Sequence, residues 1–194
     1  MKKIVILFAV LLGFVSPGKS DLITFEDLSP GPSFLEVFNG YHGLQWSNFY
    51  VVDAMSEPED SGYRTGMVSP TNVVFDANAD PAAISVVSGV FDLSSGYLTA
   101  ASFSPLLLEA IGYRDGQAIY DEVYRLDTTG PLLANFNFLG IDRVTFTPYT
   151  EGGPSQFVVD NLTVSVPEPG GGALLMAGAA LFGLRRLRAR RQGL

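Results

Sequence analysis

The chain has no cysteine, one histidine and one tryptophan among its 194 residues. Without cysteine no disulfide can staple it, so its stability has to come from packing or from a bound ion. A zinc site of nitrogen and sulfur ligands is excluded, because His42 would stand alone in it. A Ser-His-Asp nucleophile would need the same histidine, and no Gly-x-Ser-x-Gly element accompanies it. His42 lies between Gly40 and Gly43 and reads as a turn residue. Positive charge is also scarce where it would matter. Between Asp21 and Ser165 the only basic residues are Arg64, Arg114, Arg125 and Arg143, against nineteen acidic ones, a net charge of −15. A phosphate backbone needs a surface of the opposite sign, so nucleic acid is excluded as a partner. Divalent cations, cationic surfaces and neutral glycans stay compatible with that charge, and so does a plain solvated acidic surface.

Helical patterning is missing too. No stretch of twelve residues in the central segment carries apolar residues at a 3.6-residue period, and Leu106–Ala110 is too short to stand as a helix. What is present is period two and punctuation. Val144 and Phe146 alternate with Thr145 and Thr147, and Phe157 and Val159 alternate with Val158 and Asp160. Ile84, Val86 and Val87 lead through Gly89 to Val90 and Phe91. Leu98–Phe103 and Leu106–Tyr113 read as strands joined at Ser104-Pro105, and Ala118–Tyr124 as the return strand after a tight turn at Asp115-Gly116. Asp127–Pro131 is a further turn. Short strands with a turn every 8–12 residues or so predict an all-β, antiparallel two-sheet β-sandwich, jelly-roll-like, over residues 21–165.

The two ends have a different chemistry. Residues 1–20 open with Lys2 and Lys3, continue through the apolar run Ile4–Val15 and place Gly18 and Ser20 at the −3 and −1 positions of a cut before Asp21. This is the pattern of a secretory signal peptide, removed by signal peptidase. Residues 166–194 begin with Pro167-Glu168-Pro169, run uncharged from Gly170 to Leu184 and finish with Arg185, Arg186, Arg188, Arg190 and Arg191. A helix from 170 to 189 is about 30 Å long, the thickness of a bilayer core, with the first arginines snorkelling to headgroups. The arginines hold that end in the cytoplasm and put the central domain across the inner membrane.

The tail resembles the PEP-CTERM sorting region of exported bacterial proteins. Pro167, Glu168 and Pro169 match the recognition motif, and the Gly/Ala/Leu-rich run and the arginine cluster follow in the family's order. The resemblance implies recognition by an exosortase, a membrane protease or transpeptidase that removes the helix. It also implies a place at the cell surface or in the extracellular matrix, associated with exopolysaccharide or biofilm.

The central segment is similar to the jelly-roll domains often found before such a tail, on the short motifs Ile23–Leu28, Tyr41–Trp46, Tyr97–Ala101, Ile111–Tyr113 and Phe157–Leu162. That resemblance implies a structural Ca²⁺ shared by an acidic residue on the first strand and one on the last, where Glu26 and Asp160 stand. The chemistry agrees, because Ca²⁺ takes six to eight oxygens from carboxylates and carbonyls. Asp160 follows three apolar residues, where a bare charge is costly. Asp27 replaces Glu26 if the register slips by one. The alternatives are that both carboxylates point outward, or that Asp160 caps backbone N–H groups.

Carboxylates are too plentiful here for any pair to mark a glycosidase, so no catalytic residue is expected and the chain reads as non-enzymatic. The segment Glu57–Gly62 reads as an exposed loop, Trp46 as a core residue and Tyr63 as the best exposed aromatic for a sugar face. The expected function is that of an exported surface or matrix protein. The alternative is a carbohydrate-binding module, set apart by an exposed aromatic patch beside a groove.

Overall fold

The computed structural model describes residues 19–150 and 155–166. The signal-peptide, sorting-motif and membrane-helix expectations lie outside them. Among the described residues no helix is long and apolar enough to cross a membrane. Lys19–Val166 forms one compact unit.

Twelve strands are described: β1 (Ser20–Ile23), β2 (Phe34–Glu36), β3 (Gln45–Ser47), β4 (Phe49–Asp53), β5 (Asn72–Asp76), β6 (Ala82–Ser85), β7 (Phe91–Ala100), β8 (Leu106–Arg114), β9 (Gln117–Leu126), β10 (Leu132–Ile141), β11 (Arg143–Tyr149) and β12 (Phe157–Ser165). One short helix, α1 (Gly62–Thr65), and three single 3₁₀ turns complete the described elements. The seven-stranded sheet runs β10-β7-β12-β5-β4-β2, with β1 also on β12. The five-stranded sheet runs β3-β6-β11-β8-β9. All pairings are antiparallel, and the two sheets enclose one core, as a β-sandwich does.

The alternation read from the sequence is what buries that core. Val144 and Phe146 of β11, and Phe157 and Val159 of β12, all point into it. Trp46 is in it as well, 4% exposed. The Asp115-Gly116 turn has positive φ at both residues (50° and 75°), the twist a two-residue hairpin needs. Several boundaries differ from expectation: β7 ends at Ala100 rather than Phe103, and β9 runs Gln117–Leu126 rather than Ala118–Tyr124. β7 begins at Phe91 rather than Leu98, because Ser94, Ser95 and Gly96 carry the strand across a polar stretch that offers no alternation to read. The run from Ile84 to Phe91 is broken, with β6 ending at Ser85 and Gly89 at a φ of 81°.

The strands β4, β5 and β12 are buried on both faces. Val51, Val74 and Val159 face the main core, while Val52, Val73, Phe75 and Val158 face a second apolar cluster with Ala54 and Ala101. The chain from Ala54 to Thr71 covers that second cluster. It is tied down by Ala54 N–H to Thr71 O (2.6 Å) and Gly62 N–H to Ala101 O (2.8 Å). The close approach demands glycine: a Cβ on Gly62 would lie 1.7 Å from the Ala100 carbonyl oxygen, and one on Gly66 2.6 Å from Thr99 Oγ1.

Candidate functional site

The structure brings Glu26 and Asp160 together, through a third residue. Asp160 lies at the bulge in β12, where pairing with β7 slips between Asp160 and Thr163 and Asn161 has a φ of 51°. On the other side of β12 the partner strand changes here, from β5 before the bulge to β1 after it. Asp160 is fully buried and fills the gap in the ladder. Its Oδ2 accepts from Val68 N–H (2.6 Å) and Ser69 N–H (2.8 Å), and its Oδ1 from Ser69 Oγ–H (2.9 Å) and Asn161 N–H (2.7 Å). Burial pushes its carboxyl above the usual range, and the hydrogen bonds from Val68, Ser69 and Asn161 oppose that. Glu26 does not sit on the first strand. β1 ends at Ile23 and Phe25 has a φ of 64°, which turns the chain toward the 68–72 segment. There Glu26 Oε1 accepts from Asn72 N–H (2.9 Å) and Oε2 from Thr71 Oγ1–H (3.2 Å). Asp27 is engaged elsewhere, accepting from the Tyr41 hydroxyl at 2.6 Å.

Three acceptors surround the Ser69 hydroxyl: Thr24 O at 3.2 Å, Glu26 Oε1 at 3.3 Å and Asp160 Oδ1 at 2.9 Å. A hydroxyl has one proton to give. Thr24 O, Ser69 Oγ, Glu26 Oε1 and Asp160 Oδ1 are oxygens of the types Ca²⁺ takes, with Asn72 N–H and Asn161 N–H already donating to the two carboxylates, and exposed Glu26 leaves room for water to complete the shell. Among the described residues no group of three His, Cys, Asp or Glu converges, so a cation here would lean on the carbonyl and the hydroxyl. Ser69 escaped the sequence reading because its role needs partners 43 and 91 residues away.

A second feature lies beside the covering segment. Phe34, Tyr50, Tyr63 and Phe75 line an open groove of about 290 Å³ together with Glu57, Asn78 and Gln156. Phe34 is 59% exposed. The rings hold one another edge-on, Phe34 against Tyr50 and Phe75, and Tyr63 against Phe75 at 5.4 Å. Tyr63 donates its hydroxyl to Gln156 Oε1, and Gln156 Nε2 donates to Asp76 O at 2.7 Å. Burial, followed by the charges of Asp76 and Glu57, raises the Tyr63 phenol, so it stays a neutral donor. The loop expectation holds for Pro58, Glu59 and Asp60, which are exposed, but Gly62 is buried and Tyr63 sits on α1.

Asp76, at the end of β5, is fully buried. Its Oδ1 accepts from Phe157 N–H at 2.6 Å, while Oδ2 has no partner. Burial raises its pKa to about 8 against the lowering bonds from Phe157 N–H and from its own backbone N–H, with Asp80 adding to the rise. The sequence signal was there: Asp76 ends Val73-Val74-Phe75 as Asp160 ends Phe157-Val158-Val159. His42 occupies a 3₁₀ turn with a φ of 50° and pairs with the Asp21 carboxylate at the surface.

Neither a family model nor a curated protein matches the sequence. Among solved structures, the K2 cleaved adhesin domain of Lys-gingipain is similar with a TM-score of 0.48 and 9% identity, over 76% of this chain and 100% of that one. The CBM22-1 xylan-binding domain of Paenibacillus barcinonensis Xyn10C is similar with a TM-score of 0.43 and 10% identity, over 79% of this chain and 98% of that one. TmCBM61, solved with beta-1,4-galactotriose, gives a TM-score of 0.33 and 11% identity, over 67% and 94%. Likeness this loose transfers no binding property to this chain.

Proposed function

We propose that the chain is an exported, non-enzymatic surface or matrix protein that holds a neutral glycan in the groove of Phe34, Tyr50, Tyr63 and Phe75. The groove is the observation that carries the reading. It combines an exposed ring, which can stack on the apolar face of a sugar, with the amides of Asn78 and Gln156 and the Glu57 carboxylate, which can bond hydroxyls. Delivery rests on the two ends of the sequence: signal peptidase cuts before Asp21, and an exosortase reads Pro167, Glu168 and Pro169 and releases the membrane helix. A structural Ca²⁺ held by Glu26, Asp160, Ser69 and the Thr24 carbonyl would lock β1 and the 68–72 segment onto β12 and stiffen the sheet beneath the groove.

Retardation of the full chain in gels carrying soluble neutral polysaccharides tests the groove. One or more neutral polysaccharides should slow wild type, and Phe34→Ala should weaken that binding by about tenfold without lowering the melting temperature. Binding that Phe34→Ala leaves intact, or no retardation by any neutral polysaccharide, would sink the proposal. The metal is read separately, by thermal unfolding with Ca²⁺ and with chelator. At a hundredfold excess over Kd a ligand of the native state adds about 2.7 kcal/mol. That gain should disappear in Glu26→Gln. Identical melting with Ca²⁺ and chelator removes calcium from the account.

A further inference from the structure

A strand edge with unpaired N–H and C=O groups is a template for another strand, and folded proteins usually blunt it. Among the described residues the seven-stranded sheet ends in β2 and β10, with β1 paired on one side only, and the five-stranded sheet ends in β3 and β9. β2 and β3 are three residues long and β1 four. β10 is longer, but its ladder slips twice, between Asn135 and Phe138 and between Phe138 and Ile141, with Asn137 and Gly140 at positive φ. Such bulges twist an edge away from a partner. β9 is blunted less, with its bulge confined to the hairpin end and only the charges of Asp121, Glu122 and Arg125 along the rest. It has ten residues, no proline and no positive φ, and the one irregularity in its pairing lies at the hairpin end, at Gly112/Tyr113. On its outer face Ile119 and Val123 are 45% and 58% exposed.

We propose that a second copy of this chain pairs along this edge, β9 against β9 and antiparallel, about a two-fold axis at Val123. Charge selects the register. For the outer faces of both copies to stay on one side, residues of equal parity must lie opposite each other, so the axis passes through a residue. Centred on Val123, Asp121 faces Arg125 of the other copy twice, Val123 faces Val123 and Glu122 faces Tyr124. Every centre one or two residues away sets like charges opposite each other: Glu122 on Glu122, Asp121 on Asp121, Asp121 on Asp127, or Arg125 on Arg125. Opposite charges directly across a strand pair stabilise it, and like charges destabilise it. In a domain with four arginines and nineteen acidic residues, an arginine placed four residues from an aspartate on a bare edge supplies this complementarity. The two five-stranded sheets then join into one of ten strands. Nothing in this pairing depends on the groove or on calcium.

Sedimentation velocity of the full chain, across micromolar concentrations, tests it. Wild type should sediment as a dimer. Arg125→Asp, which puts aspartates opposite each other, should weaken association by about tenfold or more, and Val123→Lys should do the same. The double swap Asp121→Arg with Arg125→Asp should restore the dimer. Far-UV circular dichroism and melting of the variants show that the fold is kept. A monomeric wild type overturns the proposal. So does a dimer indifferent to Arg125→Asp, or a swap that fails to rescue.

Discussion

The outer faces of the two sheets are built on opposite plans. Over β4, β5 and β12 the seven-stranded sheet is covered: Val52, Val73, Phe75 and Val158 lie under the 54–71 segment, and Asp160 ties that segment down through Val68 and Ser69. Among the described residues nothing covers the five-stranded sheet. Its outer rows hold Tyr149, Leu107 and Arg125, then Thr147, Glu109 and Val123, then Thr145, Ile111 and Asp121, a mixture of ring, aliphatic and charge. One sheet thus spends its outer face on stability and on shaping a groove, while the other leaves face and edge free for contact. The same sequence pattern, alternation at period two, serves the bare sheet, whereas the doubly buried strand β5 reads as a near-continuous apolar run, as such strands do.

The sharpest break of that contrast is at the covering segment. Gly62→Ala drives a methyl group into the Ala100 carbonyl and should cost more than about 4 kcal/mol, or prevent folding. Gly130→Ala, with open space around it, should be near neutral. Urea unfolding compares the two, and equal costs would mean that the segment does not pack on the sheet as described.

Next in size is Asp160→Ala. It strands the N–H groups of Val68 and Ser69, the second of them buried, and should cost about 3 kcal/mol. Limited proteolysis should then cut within 54–71 before the five-stranded sheet is touched.

Asp76 gives a pH signature to the covered sheet alone. Its carboxyl ionises near the ordinary value of about 4 when unfolded but at about 8 when folded. Across that window the native state holds the extra proton, so stability falls as pH rises from about 4 and levels off above about 8. Asp76→Asn should flatten this slope, as followed by melting temperature against pH. A slope unchanged in the variant would place the proton elsewhere.

The smallest effect belongs to the bare face. Glu109→Ala loses the hydrogen bond from the Tyr149 hydroxyl at 3.1 Å and should change stability by no more than about 0.5 kcal/mol. A larger loss would mean that this face is less open than its exposure implies.

What local forces decide could be read along the chain. The period of the apolar residues set the strands, because one face of each must leave water. Asp115-Gly116 set the β8–β9 hairpin, because its backbone tolerates positive φ. The lack of a helical period in the central segment left the four-residue α1 as the one α-helix among the described residues. Asp160 was legible as costly for a strand interior and as a candidate cap of backbone N–H groups, which is what it does, though not that Val68 and Ser69 would supply them, and Asp76 carried the same signal unread. The rest came from how the strands pack together. Glu26, Ser69 and Asp160 meet, and so do Phe34, Tyr50, Tyr63, Phe75 and Gln156, because strands distant in sequence are neighbours in a sheet. The choice of neighbours is a property of the whole core, whose packing rewards one topology over others that satisfy the same local alternation.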